Sequence, residues 1–167
     1  SSMNAACANG HSFDRAREGY LNLTVGGRLA ASTTPGDTAE SLAARRRFLD
    51  AGGYSPIAQA LRDAVGEVDG PVLDVGCGEG YYTQHINAPL RVGVDIAKKA
   101  VQMASRRLPR DQFAVASAFR LPVLNDSCAS VVSVFAPHPV EEFRRILAPG
   151  GHWVTVTPAA DHLREMR

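Results

Sequence analysis

The sequence predicts an α/β fold with a doubly wound, mostly parallel sheet, and three observations lead to this prediction. After residue 70, short apolar runs alternate with segments of helical periodicity, a pattern typical of βαβ units with right-handed crossovers. A short apolar run ends in Asp74 and is followed by glycines at alternate positions, and a second run over 90–94 ends in another acid, Asp95. A glycine turn after one strand and a carboxylate after the next are typical of sheets that bind a nucleoside.

Hydrophobic periodicity and turn residues set the boundaries of the predicted elements. A first helix begins near Asp37 or Thr38, both good N-caps, and stops at Gly52-Gly53. A second helix follows Ser55-Pro56, because proline suits a first helical turn. We predict strands near 71–75, 90–95, 112–116, 130–135 and 152–157. We predict helices near 79–87, 97–107 and 138–147, the last ending at the turn Pro149-Gly150-Gly151.

Length and composition describe one ordinary domain with a short appendage. The chain has 167 residues, of which 45% are hydrophobic and 21% charged, and these values are typical of a soluble globular protein. Its apolar runs are far shorter than the ~20 residues of a membrane span, and no cationic and apolar leader opens it. We therefore expect a cytoplasmic location and no membrane partner. The three cysteines form no disulfide framework, which fits a reducing compartment.

The chain divides into two segments of different composition. Residues 1–36 are rich in Ala, Gly, Ser, Thr and Asn and end at a Pro-Gly turn, so we predict an appended segment over 1–36 and an α/β domain over 37–167. Within that domain, the fifteen residues that follow Gly80, up to and including Asp95, are few for a helix, a loop and a strand.

Arginines cluster locally although the net charge is only +1. Such clusters bind phosphate groups even in a nearly neutral protein, and solvated helix faces are the alternative interpretation. The clusters lie at 45–47, at 106–107 with 110, and at 144–145.

The spacing of the glycines separates two classes of cofactor. A dinucleotide-binding turn requires G-x-G-x-x-G and therefore a glycine at 81, where Tyr81 stands. The pattern D-x-G-x-G-x-G from Asp74 to Gly80 instead resembles motif I of class I S-adenosylmethionine-dependent methyltransferases. The resemblance implies that Asp74 lies near the methionyl amine of the cofactor and that Asp95 holds the ribose diol. A glycine-rich turn without a ligand is the alternative.

The blocks that flank motif I extend the resemblance from Cys7 to the last residues of the chain. They lie at 7–11, 13–23, 35–40, 44–54 and 74–83. This ordered series resembles the bacterial 23S rRNA (guanine-N1)-methyltransferases, the group that includes macrolide-resistance methylases. The resemblance implies a Rossmann-like class I methyltransferase with a small N-terminal zinc-ribbon remnant. It also implies truncation at the C-terminus, because the methyltransferase fold normally adds two more strands.

The resemblance implies zinc in the native protein. The zinc site of the family uses a Cys-x-x-Cys pair and then a Cys-x-x-x-His pair, and Cys7 and His11 match the second pair. Residues 1–6 contain no cysteine, so the upstream pair is absent, and two ligands cannot close a four-ligand structural site. A free thiol beside an unrelated histidine is the alternative.

The resemblance also implies a set of cofactor contacts. Tyr54 corresponds to a tyrosine beside the cofactor, and His162 to a histidine near it; a core aromatic and a surface histidine are the alternatives. Ser117 ends the third strand of the domain, where the family fold brackets adenine. The full set of expected cofactor-binding residues is Tyr54, Asp74, Gly76, Gly78, Glu79, Gly80, Asp95, Ser117 and His162.

Phe135 is the candidate for stacking on a base. Phe135-Ala136-Pro137 ends the fourth strand of the domain, where amino-methylating relatives carry an Asn-Pro-Pro-Tyr-like motif; a buried strand-end residue is the alternative. Methyl transfer to guanine N1 also requires loss of the N1 proton. The residues do not single out one acceptor among Glu79, His138, Asp161 and His162.

The sequence therefore predicts S-adenosylmethionine-dependent methylation of guanine N1 in a hairpin of 23S rRNA. Guanine N1 is hidden in a duplex, which favours a loop or a flipped nucleotide as substrate. A small-molecule methyltransferase is the first alternative, a non-catalytic RNA-binding module is another, and Tyr81 disfavours an NAD-dependent oxidoreductase. Whether the protein is a homodimer is left open.

Overall fold

The structure, a computed structural model, describes residues 4–6, 10–24 and 39–159. No helix within these ranges is long and apolar enough to cross a membrane. The strands are β1 Asn4–Ala6, β2 Ser12–Asp14, β3 Leu21–Asn22, β4 Pro71–Val75, β5 Leu90–Asp95, β6 Gln112–Val115, β7 Cys128–Val134 and β8 Leu147–Val156. The helices are α1 Ala39–Asp50, α2 Ser55–Val65, α3 Lys98–Arg107 and α4 Val140–Ile146.

A parallel six-stranded sheet forms the centre of the molecule, and its order is β3-β6-β5-β4-β7-β8. The order reverses at β4, because the chain moves outward through β5 and β6 and then returns to add β7 and β8 on the other side. Strands β1 and β2 form a separate antiparallel pair. The predicted α/β class with a doubly wound, mostly parallel sheet is confirmed.

Helices cover both faces of the sheet because the central strands are apolar on both sides. Val72 and Val132 belong to one hydrophobic cluster with Leu61 of α2, whereas Leu73 belongs to another with Phe143 of α4. Adjacent strand residues point to opposite faces, so α2 and α4 lie on opposite sides of the sheet. Burial on both faces explains why β4 and β7 are continuous apolar runs rather than alternating ones.

The predicted helix over 79–87 is wrong. Turns and a single 3-10 turn, Thr83–His85, connect β4 to β5 in its place. A 3-10 turn advances about 2.0 Å per residue against 1.5 Å in an α-helix, so it lets a short connection reach farther.

The predicted helix over 138–147 is shorter than expected. It ends at Ile146, and Leu147 is already extended and pairs with Cys128 of β7. The Pro-Gly-Gly turn then lies inside β8, where the pairing with β7 is irregular.

The N-terminal segment is attached to the sheet. Strand β3 pairs in parallel with β6, and Tyr20 is 4% exposed in a cluster with Val101 and Phe113. Glu18 accepts hydrogen bonds from Gln102 (2.8 Å) and Arg106 (2.7 Å), both on α3. The predicted boundary near residue 36 lies outside the described residues and stays a prediction.

Candidate active site

A cavity of about 350 Å³ lies at the carboxyl ends of the central strands. Its walls come from the segments 76–79 after β4, 95–97 after β5, 116–119 after β6 and 134–137 at the end of β7. Open α/β sheets bind ligands at this edge, near the point where the strand order reverses. The volume lies in the range of small-molecule and cofactor sites.

The glycine turn brings backbone to the cavity surface. Gly76 has φ of 74°, and a Cβ atom there would collide with Cβ of Ala136. Gly78 has φ of 54°, and no atom lies within 4 Å of the position that its Cβ would take. The first glycine is therefore required by close packing, whereas the second leaves open space beside the backbone for a ligand.

Asp95 connects the glycine turn to the end of β5. Its Oδ2 accepts a hydrogen bond from the N–H of Gly78 at 2.9 Å, and its Oδ1 accepts one from the N–H of Ala97 at 2.8 Å. A carboxylate has about four lone-pair sites, so both oxygens keep acceptor capacity. Because Asp95 lines the cavity, that capacity is available to ribose hydroxyls.

Glu79 lines the same cavity and is 8% exposed. Its Oε1 accepts a hydrogen bond from Arg107 at 3.3 Å, while its buried Oε2 has no hydrogen-bond partner among the described residues. Burial raises the pKa of Glu79, and the charge of Arg107 opposes that rise. An unpartnered buried acceptor in a cavity fits a cationic donor such as the methionyl amine of S-adenosylmethionine.

Asp74 does not line the cavity, and neither does Gly80. Asp74 is 2% exposed, and its Oδ2 accepts a hydrogen bond from the Thr83 hydroxyl at 2.6 Å. Burial raises the pKa of Asp74 to about 7. At Gly80, a Cβ atom would lie 3.3 Å from Cβ of Ala104, so this glycine lets α3 approach the turn. Direct contact of either residue with the cofactor stays a prediction.

Aromatic side chains form a group near the cavity mouth. Phe135 lines the cavity, and its ring centroid lies 6.0 Å from that of Tyr54, which is 5.2 Å from that of Phe48. All three side chains are exposed. Phe135 has φ of 53°, a conformation that is unfavourable for a bulky residue and that concentrates at functional sites.

The segment after Phe135 is held by the preceding strand. The Ser133 hydroxyl donates to the carbonyls of Ala136 at 3.2 Å and Pro137 at 3.3 Å. His138 follows, exposed, with Nδ1 3.3 Å from the Ala136 carbonyl oxygen.

Of the remaining predicted residues, Ser117 lines the cavity, and its contact with the cofactor stays a prediction. Cys7 and His162 lie outside the described residues. His11 is described, and its ring centroid is 6.4 Å from that of Phe13. Within the described ranges no three His, Cys, Asp or Glu side chains form a group that could hold a metal ion.

Several further residues line the cavity and were not predicted as site residues, among them Arg45, Leu49, Ile96 and Phe119. Ile96 and Phe119 follow the carboxyl ends of predicted strands, where open α/β sheets bind ligands, so their positions could have predicted that they line the site. No local signal identifies Arg45 or Leu49, because helix α1 reaches the cavity only through tertiary packing.

Comparisons with known proteins agree with this arrangement. A family model described as a methyltransferase domain matches residues 72–151, and one described as the RlmA N-terminal domain matches residues 1–24. A solved structure of a candidate S-adenosylmethionine-dependent methyltransferase from Methanococcus maripaludis superposes with a TM-score of 0.56 at 20% identity, over 70% of this chain and 63% of that one. At this identity the likeness concerns the fold.

Two curated relatives carry more specific names. The 23S rRNA (guanine(748)-N(1))-methyltransferase of Streptomyces fradiae is 38% identical over 171 residues, which are 96% of this chain and 59% of that protein. A candidate 23S rRNA (guanine-N(1)-)-methyltransferase of Micromonospora griseorubida is 41% identical over 182 residues, which are 96% of this chain and 60% of that protein. The chain therefore spans about 60% of the length of these relatives.

The sheet order, the glycine turn and the carboxylate after β5 define a class I S-adenosylmethionine-dependent methyltransferase fold and site. Within that class, the relatives to which the chain is similar are named 23S rRNA (guanine-N1)-methyltransferases, and the N-terminus of the chain matches the RlmA N-terminal domain.

Proposed function

We propose that the protein transfers a methyl group from S-adenosylmethionine to N1 of a guanine in a hairpin of 23S rRNA. The observation that supports this most directly is a cavity that combines a cofactor-type wall, formed by Gly78, Glu79 and Asp95, with the exposed aromatic residue Phe135. The names of the relatives supply the identity of the substrate. A substrate in the ribosome implies a cytoplasmic location.

The residues of this chain bind and orient the reactants. Asp95 would accept hydrogen bonds from the ribose diol, and Glu79 would accept one from the methionyl amine. Ser117, Ile96 and Phe119 lie at the ends of β5 and β6, where the adenine would bind. S-adenosylmethionine supplies an electrophilic methyl group, so the protein needs to align guanine N1 with it and to exclude water.

Phe135 would stack on the target base. Stacking on an aromatic ring contributes about 1–3 kcal/mol per base and holds a planar ligand in a defined orientation. Tyr54 lies beside Phe135 and Phe48 packs edge-on against Tyr54, so Tyr54 would support the Phe135 ring and Phe48 would support Tyr54. An unpaired hairpin nucleotide reaches such a site more easily than a base inside a duplex.

Zinc would belong to the N-terminal segment of the whole protein. Residues 1–24 match the RlmA N-terminal domain, yet they supply only Cys7 and His11 as cysteine and histidine ligands. A structural zinc site needs four ligands, so these residues alone do not fit the metal, and no step of the reaction depends on it.

The direct test is methylation of RNA by the full-length protein. We expect mass mapping of nucleosides to detect 1-methylguanosine in large-subunit rRNA, or in an isolated hairpin of it, after incubation with S-adenosylmethionine. Modification of a small metabolite, with guanine N1 unchanged in every RNA tested, would support the alternative, a small-molecule methyltransferase.

The Phe135→Ala variant tests the stacking role. We expect it to lower the turnover number more than it lowers RNA affinity, because one stacked base contributes little to a large interface. Phe135→Tyr keeps an aromatic face and is the control that should retain turnover. Equal turnover of the Ala and Tyr variants would contradict the assignment.

A further inference from the structure

We propose that Arg107 is a positioning residue for the cofactor, orienting the Glu79 carboxylate in the cavity and tying helix α1 to the same site. The inference rests on the cofactor site of the proposed function and is independent of the RNA substrate. Arg107 is the last residue of α3 and lies outside the sequence motif that supplies the glycine turn and the carboxylate after β5.

One guanidinium group connects two carboxylates from different parts of the chain. Arg107 Nη2 donates to Glu79 Oε1 at 3.3 Å, and Nη1 donates to Asp50 Oδ1 at 2.8 Å. The Arg107 side chain is 11% exposed. A planar guanidinium donates in fixed directions, so a buried one also fixes the orientation of the groups that accept from it. With Oε1 of Glu79 engaged in this way, Oε2 is left as the acceptor for a ligand.

The charge of Arg107 is needed because Glu79 is buried. Burial is the main influence on the pKa of Glu79 and raises it; Arg107 on α3 is the largest opposing charge. The other charged groups that face Glu79 all come from α1: Arg46 and Arg45 lower its pKa, and Asp50 raises it. A protonated Glu79 would attract a cationic amine far less than an ionised one, so Arg107 extends the pH range in which the acceptor is available.

The bond to Asp50 has a second consequence. Asp50 is the last residue of α1, and Arg45 and Leu49 of the same helix line the cavity. Arg107 thus joins the wall formed by α1 to the wall formed by the glycine turn. Arg107 also holds the pKa of Asp50 below its ordinary value, through a hydrogen bond to that carboxylate.

The test is calorimetric titration of the full-length protein with S-adenosylmethionine between pH 5.5 and 8.5. We expect Arg107→Gln to weaken binding by roughly tenfold or more at neutral pH, the loss expected when a charge-assisted hydrogen bond is removed. We also expect the pH at which affinity falls on acidification to move upward, because Glu79 then protonates more easily. Arg107→Lys keeps the charge and should restore most of the pH profile.

The controls separate positioning from general stability. Arg106→Gln is the matched variant at the neighbouring residue, which pairs with Glu18, and it should leave the pH profile unchanged. Asp50→Asn should weaken binding and move the pH at which affinity falls downward, opposite to Arg107→Gln, because it keeps the bond between Arg107 and Glu79 and removes a negative charge that raises the pKa of Glu79.

An Arg107→Gln profile that is weakened equally at every pH would overturn the proposal, since a purely structural role predicts that result. If Arg107→Gln fails to fold, the Arg107→Lys and Asp50→Asn profiles decide. The proposal then falls if Arg107→Lys moves the pH at which affinity falls upward by a full unit or more, or if Asp50→Asn leaves affinity unchanged. No binding by the unsubstituted protein would overturn the cofactor assignment itself, and this inference with it.

Discussion

At the scale of single residues, the glycine turn shows how similar backbone conformations serve different purposes. Gly76 and Gly78 both have positive φ, at 74° and 54°. A side chain on the first would meet Ala136, whereas a side chain on the second would enter open space. Sequence motifs treat these glycines as equivalent, but only the second leaves room for a ligand.

The two glycines give a matched pair of variants. Gly76→Ala and Gly78→Ala should each cost about 1–2 kcal/mol for the left-handed conformation. Gly76→Ala should cost about 1–3 kcal/mol more, because the new methyl group overlaps Ala136. Urea denaturation measures both losses. Equal destabilisation of the two variants would contradict the packing role of Gly76. Gly78→Val should fold and fail to bind S-adenosylmethionine in calorimetry.

The buried carboxyl group of Asp74 should make stability depend on pH. Burial raises its pKa in the folded protein to about 7, above the ordinary range of an unfolded aspartate. Between these two pKa values the folded state binds more protons than the unfolded state, so stability falls as pH rises from about 4 to 7. Above pH 7 this cost is complete and constant.

Asp74→Asn tests this effect, because asparagine resembles the protonated acid and can still accept the hydrogen bond from Thr83. We expect the variant to gain stability relative to the unsubstituted protein as pH rises from 5 to 8, by about 1.4 kcal/mol for each unit of pKa shift. Thermal unfolding at several pH values measures this. Parallel curves for the two proteins would show that Asp74 is ionised throughout.

At the scale of elements, the N-terminal strand belongs to the packing of the catalytic sheet. Strand β3 has only two residues, yet it extends the sheet at β6 and places Tyr20 against α3. The same cluster includes Cys77 of the glycine turn. Contacts of the N-terminal segment therefore reach the cofactor wall through the core.

Removing the Tyr20 ring should destabilise the α/β domain as a whole. Tyr20→Ala should cost about 3–5 kcal/mol, the usual loss for a buried aromatic residue, because Tyr20 is 4% exposed. Phe119→Ala is the control, since Phe119 is 70% exposed and should change stability little. Denaturation followed by circular dichroism at helical wavelengths measures both. A small loss for Tyr20→Ala would mean that β3 is only loosely attached.

At the scale of the whole molecule, some arginines of the clusters are engaged in contacts within the protein, whereas others are exposed and could contact RNA phosphates. Arg145 donates to the carbonyls of Leu121 and Val123 and pairs with Glu142, so it holds the segment before β7. Arg107 is likewise committed to carboxylates. Arg47 is exposed and makes no ion pair within the described ranges. The expectation that clusters bind RNA phosphates therefore applies to fewer arginines than the sequence suggested.

Arg47→Ala should weaken RNA binding without changing cofactor affinity. A phosphate contact contributes to affinity through counterion release, so its loss should lower the slope of log affinity against log salt concentration by about one. Filter binding at several salt concentrations measures this slope. Arg62→Ala, at an exposed arginine that pairs with Asp63, is the control and should leave the slope unchanged. Identical slopes for all three proteins would remove Arg47 from the RNA interface.

Local sequence was sufficient for the fold class, the central strands and much of the cofactor wall. The apolar runs at β4 and β5 and the glycine turn between them are close in the chain, and their resemblance to motif I of the methyltransferases indicated Gly78, Glu79 and Asp95, which line one cavity. The helix predicted over 79–87 is wrong because hydrophobic periodicity carries no information about the distance that the connection between β4 and β5 has to span.

Tertiary packing determined which residues from other elements complete the site beside the glycine turn. Arg45, Leu49 and Arg107 reach the site because α1 and α3 pack beside the glycine turn, and no local pattern encodes that packing. The same holds for the burial of Asp74, which accepts a hydrogen bond from Thr83 and does not line the cavity. Contacts between residues distant in sequence depend on how whole elements pack, so the sequence determined the class of protein and the fold determined how its site is completed.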